Sequence, residues 1–171
     1  MKIKLSTLEN IPEIMTIIKD AKELLASLKI DQWQNGYPNA AQVEQDILKG
    51  ESYVVLSDEN QVIATSMFTT NKEPTYQIIE EGSWKVEESK NYGVVHRMAI
   101  KKEYRKQGLA TLLFDEFHQQ LKSKNIQSLK IDTHEENLGM QALIKKIGYQ
   151  YCGIILTNYG AKRLAFEKVI Q

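Results

Sequence analysis

The stretch that decides the fold is Val94-Val95-His96-Arg97-Met98-Ala99-Ile100, followed by Lys101-Lys102-Glu103-Tyr104-Arg105-Lys106-Gln107-Gly108-Leu109-Ala110. The first part is rich in β-branched and apolar residues and predicts a strand. Gly108 opens a run whose apolar residues recur at helical spacing, which predicts a helix over residues 108–122. Small residues at 108 and 110 let a ligand approach the backbone, and the first N–H groups of a helix lack intrahelical partners. This strand, loop and helix therefore predict an anion site.

The loop is also basic, because Lys101, Lys102, Arg105 and Lys106 fall close together. A phosphate at a helix start gains roughly 0.3–1 kcal/mol from the helix dipole when the site is exposed. A ligand with several phosphates suits such a cluster, and a solvated basic turn is the alternative. Neither GxGxxG nor GxxxxGK[ST] occurs, so a Rossmann or P-loop site is not predicted.

The composition limits the possible domain organisation and function classes. The chain has 171 residues, with 22 Lys and Arg against 22 Asp and Glu, which predicts a single domain over 1–171 and argues against a nucleic-acid binder. Cys152 is the sole cysteine, so it forms no internal disulfide and is expected to be a small buried residue, and no metal site is expected. No apolar run approaches the roughly 20 residues that span a bilayer. We therefore expect a soluble, cytoplasmic protein with no membrane partner.

Strands and helices alternate along the chain, which predicts a mixed sheet with helices on its faces, α/β or α+β in class. Asn10, Pro12 and Glu13 indicate a capped start for the first helix, and Asn39 a cap for the second. The inward stripe predicted for the third helix is Leu109, Leu112, Leu113, Phe117 and Leu121. The predicted strands are 2–6, 52–56, 61–69, 92–100, 128–132, 149–156 and 163–169; the predicted helices end near 28, 49, 122 and 147. Residues 71–91 are expected to form a loop with a short helix.

Arg105-x-x-Gly108-x-Ala110 has the form R/Q-x-x-G-x-G/A, which resembles the acyl-CoA pyrophosphate loop of the GNAT N-acetyltransferase superfamily. The preceding strand ends His-Arg-Met-Ala-Ile, similar to the family's hydrophobic-Ala-Val ending. Asp132 to Asn137 resembles the family's next strand with its CoA-contacting Asn, and Gly148-Tyr149 stands where the family has Gly-Phe. The close resemblance covers about residues 92–156.

The resemblance implies a mostly antiparallel sheet of six or seven strands, about four helices and a central strand pair that splays apart around acetyl-CoA. It implies that the backbone of Met98, Ala99 and Ile100 pairs with the pantetheine arm. The residues implied to wrap the pyrophosphate are Arg105, Lys106, Gln107, Gly108, Leu109, Ala110 and Thr111. Asn137 resembles the side chain that bonds the pantetheine, although a plain helix cap is an equal alternative.

Acetyl transfer to an amine needs a base and a polarised carbonyl. The Met98 backbone N–H is expected to polarise the thioester carbonyl. His96 is the candidate base, because its ordinary pKa near 6.5 suits proton uptake at neutral pH. It stands two residues before Met98 and so on the same strand face. A structural role for His96 is an equal alternative, and His134 is a weaker candidate.

The general acid has no candidate at the expected place. Seven residues after Asn137 the superfamily commonly places a Tyr that protonates the departing thiolate, and here that position is Ile144. Either CoA leaves as thiolate, or Tyr149, Tyr151 or Tyr159 supplies the proton.

Trp33 and Tyr37 lie on a turn-rich connection and are candidates for the wall of an acceptor pocket, with a packing role as the alternative for Trp33. The prediction is an N-acetyltransferase that moves acetyl from acetyl-CoA to a primary amine of a small molecule or peptide by direct transfer in a ternary complex. A non-catalytic CoA-binding regulatory or sensor module is the alternative, and a basic-loop RNA binder conflicts with the zero net charge. A monomer or homodimer is expected.

Overall fold

The computed structural model describes residues 1–87 and 89–170. Position 88, inside the predicted loop 71–91, and position 171, the end of the predicted domain, lie outside the described residues. None of the helices in the described ranges is long and apolar enough to cross a membrane.

The described residues form a mixed α/β fold, as the sequence predicts. Seven strands form one sheet in the order β1-β2-β3-β4-β5-β7-β6. The strands are β1 (Lys2–Leu5), β2 (Ser52–Leu56), β3 (Val62–Thr69), β4 (Gly93–Ile100), β5 (Ser128–Thr133), β6 (Gln150–Leu156) and β7 (Lys162–Val169). The α-helices are α1 (Ile11–Ser27), α2 (Ala40–Leu48), α3 (Leu109–Ser123) and α4 (Leu138–Lys146). Strands β4 and β5 pair in parallel, with Gly93 opposite Leu129 and Val94 opposite Lys130.

Contacts divide the chain into two compact units, and the first contains Met1–Phe68 and His96–Asp115. Its strands β1, β2 and β3 pair antiparallel. Helix α2 begins as predicted, since Asn39 Oδ1 accepts a hydrogen bond from the Gln42 N–H at 2.9 Å. The buried core of this unit joins α1, α2, the strands β2 and β3 and the end of β4: Ile14, Ile17, Ile18, Val43, Val54, Leu56, Val62 and Ala99.

The second unit contains Thr69–Val95 and Glu116–Gln171. Strand β7 pairs antiparallel with both β5 and β6. The predicted short helix within 71–91 is a 3-10 turn at Pro74–Tyr76. Residues of this segment enter the core, which consists of Tyr76, Tyr92, Val94, Ile155 and Ala165.

Three local predictions are wrong. Leu112 is 40% exposed rather than inward, because at 100° per residue it falls off the stripe formed by Leu109, Leu113 and Phe117. Leu28 is spaced to continue the apolar stripe of the first helix and is expected to face inward, but it is exposed because α1 ends at Ser27. Asn10 does not cap α1 with its side chain, since a 3-10 turn precedes the helix and Asn10 Oδ1 accepts instead from the Thr7 N–H.

Candidate active site

The end of β4 runs through the first unit beside β3. The Ser66 hydroxyl donates to the His96 carbonyl at 3.5 Å, and the Lys101 N–H donates to the Ile63 carbonyl at 2.9 Å. Ala99 packs into the core, and Met98 is buried. The backbone that the resemblance assigns to the pantetheine arm therefore belongs to a well-packed strand.

Arg97 interrupts the regular extension of this strand, because its φ is +54°. Side chains alternate between faces only along an extended backbone. The left-handed residue between His96 and Met98 breaks that alternation, so their spacing of two no longer places them on one face.

The Arg97 side chain is buried in a polar cluster. Its Nε donates to Asp46 Oδ2 at 2.7 Å, its Nη2 to Asp46 Oδ1 at 2.8 Å, and its Nη1 to the Tyr37 hydroxyl at 2.5 Å. Burial lowers the pKa of Arg97 by desolvation, but Tyr37 and Asp46 outweigh it and hold that pKa above its ordinary value. The cluster joins β4, α2 and the connection that contains Tyr37.

The basic loop after β4 keeps one buried donor available. Arg105 Nε donates to the Ile100 carbonyl at 3.2 Å, which draws the guanidinium back over the end of β4. Arg105 Nη2 is buried and has no hydrogen-bond partner among residues 1–87 and 89–170. Because a buried N–H without an acceptor is costly, this atom fits a site that receives a phosphate oxygen.

The backbone beside Arg105 turns twice into the left-handed region, with φ of +61° at Lys106 and +84° at Gly108. Such turns direct successive N–H groups to one side and form anion-binding concavities. A Cβ at Gly108 would meet nothing within 4 Å, so the space in front of this glycine is open.

Helix α3 follows directly, with Leu109 and Ala110 buried against the protein. The Leu112 N–H donates to the Gly108 carbonyl at 3.0 Å and starts the helical pattern. The N–H groups in the first turn of a helix, which here precede Leu112, lack carbonyl partners within the helix. Together the loop, the glycine and the helix start form an arrangement that suits a phosphate group, and phosphate binding here stays a prediction.

Comparison with known proteins identifies the family. A family model described as Acetyltransferase (GNAT) family matches residues 18–149. The crystal structure of an acetyltransferase of the GNAT family from Streptococcus agalactiae is 31% identical, covers 99% of this chain and 95% of that chain, and superposes with a TM-score of 0.88. The chain belongs to the GNAT acetyltransferase family.

Two more distant structures share the GNAT fold. The ribosomal-protein-alanine N-acetyltransferase from Brucella melitensis is 16% identical, with 99% of each chain covered and a TM-score of 0.69. The NatB acetyltransferase complex, solved with CoA and MES, is 13% identical over 100% of each chain, with a TM-score of 0.70. A search of the curated proteins found no match. Membership of the family supports acetyl transfer and the use of acetyl-CoA.

Asn137, the remaining residue that resembles a GNAT cofactor contact, lies in the second unit. Its Oδ1 accepts a hydrogen bond from the Met140 N–H at 3.2 Å and so caps α4. The predicted cap is confirmed, and the contact with pantetheine stays a prediction.

The position that commonly holds the general acid in the GNAT superfamily is occupied here by a buried apolar residue. Ile144 is fully buried, as its place in the apolar stripe of α4 predicts. Of the three substitutes, Tyr149 is buried with its hydroxyl 2.9 Å from His118 Nε2. Tyr151 and Tyr159 are exposed, and Arg163 Nη2 donates to the Tyr159 hydroxyl at 3.1 Å.

The acceptor candidates have different surroundings. Trp33 is part-buried and packs against the core of the first unit, with a left-handed φ of +66°. The Tyr37 hydroxyl accepts from Arg97, and the Lys22 ammonium donates to the neighbouring Pro38 carbonyl at 2.6 Å. A packing contact of Trp33 is thus present, and a role in acceptor binding stays a prediction for both residues.

The candidate histidines also differ. His96 is partly exposed on β4. His134 Nδ1 accepts from the Glu136 N–H at 3.1 Å in the turn after β5. That bond gives His134 a structural role, whereas the role of His96 as base stays a prediction.

Arg97 and Asp46 are functional candidates that the sequence patterns missed. Two signals mark them in retrospect. Arg97 is a charge within a run of mostly apolar strand residues, and Asp46 follows Val43 by one helical turn on the inward face of α2.

Proposed function

We propose that the protein transfers an acetyl group from acetyl-CoA to a primary amine of a small molecule or peptide, directly and within a ternary complex. The observation that carries the proposal is the loop after β4. There the buried Arg105 Nη2 lacks an acceptor within the described part of the chain, beside the left-handed turns of Lys106 and Gly108. Membership of the GNAT family supports the same chemistry.

Each residue of the site has a distinct role in this proposal. Backbone groups of Met98, Ala99 and Ile100 pair with the pantetheine arm. The pyrophosphate is bound by Arg105, Lys106, Gln107, Gly108, Leu109, Ala110 and Thr111. Asn137 is kept as a predicted contact of the pantetheine. Acetyl-CoA supplies an activated thioester when it binds, and the Met98 N–H stabilises the negative charge that develops on its carbonyl oxygen.

The amine must lose a proton before or during attack. His96 accepts this proton, directly or through water, since an imidazole is the side chain suited to take up a proton at neutral pH. Ile144 stands at the usual place of the acid and donates no proton. The thiol leaves as the thiolate, in keeping with a thiol pKa near about 8.5, or receives a proton from Tyr149, Tyr151 or Tyr159.

We further propose that residues 1–171 act as one acetyltransferase domain, because one family model spans segments of both units. A cytoplasmic location and a monomeric or homodimeric state remain predictions. The acceptor segment would include Trp33 and Tyr37. A peptide amine is one acceptor class to test, since a fold relative is named as a ribosomal-protein-alanine N-acetyltransferase.

The function is tested by the release of free CoA thiol from acetyl-CoA, with and without a panel of amino acids, polyamines and peptides with free N-termini. We expect thiol release that depends on an amine and an acetylated product of matching mass. Tight CoA binding without turnover across the panel would instead support the non-catalytic CoA-binding module, which the buried Ile144 favours.

The phosphate site is tested separately by Arg105→Ala, with Lys124→Ala as the control that removes an exposed cation elsewhere. We expect Arg105→Ala to weaken CoA binding about tenfold or more, the effect of roughly 1.5–3 kcal/mol for a charged hydrogen bond, while Lys124→Ala binds as the wild type. Equal CoA affinity in both variants would contradict the assignment.

The base is tested by His96→Gln compared with His134→Gln. We expect His96→Gln to lower kcat/KM and to remove the acidic limb of its pH profile, which reports the base of the free enzyme. If the profile kept that limb in His96→Gln and lost it in His134→Gln, the assignment would pass to His134.

A further inference from the structure

Arg97 has an unusual backbone for a residue inside a strand. Its φ of +54° lies in the left-handed region. A residue with a side chain costs about 1–3 kcal/mol there and keeps the conformation only when its surroundings fix it. Something in the first unit must therefore hold this turn.

The holding contacts come from the Arg97 guanidinium itself. Asp46 on α2 binds it through two parallel hydrogen bonds of 2.7 and 2.8 Å, and both side chains are almost fully buried. The Tyr37 hydroxyl accepts a third bond at 2.5 Å. Bidentate pairs fix orientation as well as distance, so this cluster sets the direction in which the Arg97 side chain leaves β4.

Asp46 is itself held from a second side. Gln42, one turn earlier on α2, donates from Nε2 to Asp46 Oδ1 at 3.0 Å. The carboxylate is therefore pre-oriented by its own helix before it meets the guanidinium.

The backbone angles of Arg97 also set the peptide plane that carries the next N–H. That N–H belongs to Met98 and is the group placed against the thioester carbonyl in the proposed function. A change at Arg97 would turn this donor, and an oxyanion donor works only when its direction and distance are preset.

We propose that Arg97 is a positioning residue: its buried contacts with Asp46 and Tyr37 hold the left-handed turn that aims the Met98 N–H at the thioester. The kinetic part rests on the proposed function. Through Tyr37, the same side chain ties the acceptor connection of residues 28–39 to the reactive strand.

Two substitutions at Arg97 separate the backbone from the side chain. Arg97→Ala removes the contacts with Asp46 and Tyr37 and keeps the free-energy cost of a left-handed φ. Arg97→Gly also removes these contacts, but glycine adopts that φ without the cost. We expect Arg97→Ala to lower kcat about 10- to 100-fold, the loss that a shift of about 1 Å produces, and Arg97→Gly to recover part of it. In both variants the Kd for CoA should change much less than kcat, because the loop at 101–111, which is proposed to bind the pyrophosphate, is untouched.

Asn125 provides the matched control. Its φ is +55° and it is exposed in the second unit. We expect Asn125→Gly to have a higher Tm than Asn125→Ala, as for the two Arg97 variants, and both Asn125 variants to keep the wild-type kcat. Arg97→Lys and Tyr37→Phe serve as milder variants, with intermediate losses of kcat expected, if Arg97→Ala does not fold.

A second readout does not depend on turnover. With 15N-methionine labelling, the five methionines give few amide signals, and the Met98 signal reports the direction of its peptide. We expect this signal to move in Arg97→Ala, Arg97→Lys and Tyr37→Phe, to return toward its wild-type position in Arg97→Gly, and to stay in both Asn125 variants.

The outcomes separate the two proposals. A wild-type protein that acetylates no amine would overturn the proposed function, while the Met98 signal would still decide whether Arg97 holds the turn. An unmoved Met98 signal in the folded Arg97 variants, or a moved signal with kcat unchanged in an active enzyme, would overturn the positioning role.

Discussion

Residues 28–39 and 71–91 are the two segments least defined by sequence pattern. The structure holds the first segment and the described residues of the second, 71–87 and 89–91, in different ways. The first, in the first unit, is tied at Tyr37 by Arg97 and at the Pro38 carbonyl by Lys22. Its polar residues are otherwise part-exposed or exposed, and Trp33 packs against the neighbouring core.

The second segment is tied by buried polar groups. Tyr76 is fully buried and donates to Asp132 Oδ1 at 2.7 Å, and Trp84 Nε1 donates to the Tyr76 carbonyl at 2.8 Å. The N–H groups of Lys85 and Val86 donate to the buried carboxylate of Glu167 on β7.

The fully buried Lys130 strengthens this second set. Its ammonium lies 4.4 Å from the centre of the Trp84 ring, within the segment, and 3.9 Å from that of Tyr92, which directly follows the segment. Strand register also places Lys130 opposite Glu167.

The two segments therefore differ in how easily each can change its conformation. In the second segment several donors depend on the one buried carboxylate of Glu167. In the first segment the single hydroxyl of Tyr37 contacts a guanidinium that also has its pair with Asp46, so the loss of one partner should cost more in the second segment. We therefore expect residues 71–91 to be part of the rigid second unit and residues 28–39 to adapt locally, as an acceptor segment requires.

The largest expected effect comes from Glu167→Gln. The amide cannot accept with both ends, so one N–H of Lys85 or Val86, or the Ser128 hydroxyl, loses its acceptor. We expect the free energy of unfolding in urea to fall by about 3–5 kcal/mol. Glu136→Gln, an exposed control, should change the free energy of unfolding by at most about 0.5 kcal/mol. Similar values for the two variants would show that Glu167 does not hold the second segment.

Cys152 reports on the opening of the second segment, because its thiol is buried 4.0 Å from Glu167 Oε2. Burial, aided by the charge of Glu167, raises the pKa of Cys152 to about 11, so the folded protein should react slowly with a thiol reagent at pH 8. A loss of about 3 kcal/mol should speed labelling roughly 100-fold in Glu167→Gln. Tyr37→Phe, with its smaller expected loss of stability, should speed labelling by about tenfold at most. Labelling as fast as in Glu167→Gln would mean that the two segments open together.

Tyr76→Phe comes next, with an expected loss of about 1–3 kcal/mol, because Asp132 loses its buried donor. Burial and then the charge of Asp132 raise the pKa of Tyr76 well above its ordinary value. The contribution of the phenol is complete below pH about 10 and falls at higher pH, since the unfolded tyrosine then binds fewer protons than the folded one. Urea titrations at several pH values should show the gap between wild type and Tyr76→Phe narrowing above pH about 10.

The control for that measurement is Tyr159→Phe, whose hydroxyl is exposed and accepts from Arg163. It should cost less than about 1 kcal/mol and keep the alkaline loss of stability. A constant gap between wild type and Tyr76→Phe across this pH range would contradict the shifted titration.

The smallest stability effect is expected for Tyr37→Phe. One hydrogen bond to Arg97 is lost while the Asp46 pair remains, so the free energy of unfolding should fall by about 0.5–1.5 kcal/mol. Amide exchange should increase within residues 28–39 and not within residues 71–87. A loss as large as that of Glu167→Gln would show that the two segments are equally rigid.

The regular elements could be predicted because their signals are local. Apolar spacing and the Asn39 cap place the helices within a residue or two, and β-rich runs place the strands almost as closely. The GNAT loop was also visible, since Arg105, Gly108 and Ala110 lie close together in sequence.

The contacts that hold the two variable segments could not be predicted in the same way. Arg97 and Asp46 are 51 positions apart, and Glu167 lies 82 positions from Lys85. No local pattern specifies such partners, and the left-handed φ of Arg97 depends on them. The exposure of Leu112 shows the related limit that a run of leucines predicts a helix better than it predicts the buried face.

The central claim is that the glycine-opened start of α3 binds the phosphates of CoA, and a titration of CoA against Gly108→Ala and Gly160→Ala tests it most directly. The two glycines have φ of +84° and +81°, and a Cβ would meet nothing within 4 Å at either. Both variants should lose about 1–2 kcal/mol of stability. We predict that Gly108→Ala raises the Kd for CoA about tenfold or more, about 1.4 kcal/mol, while Gly160→Ala leaves it unchanged; equal affinities would contradict the account.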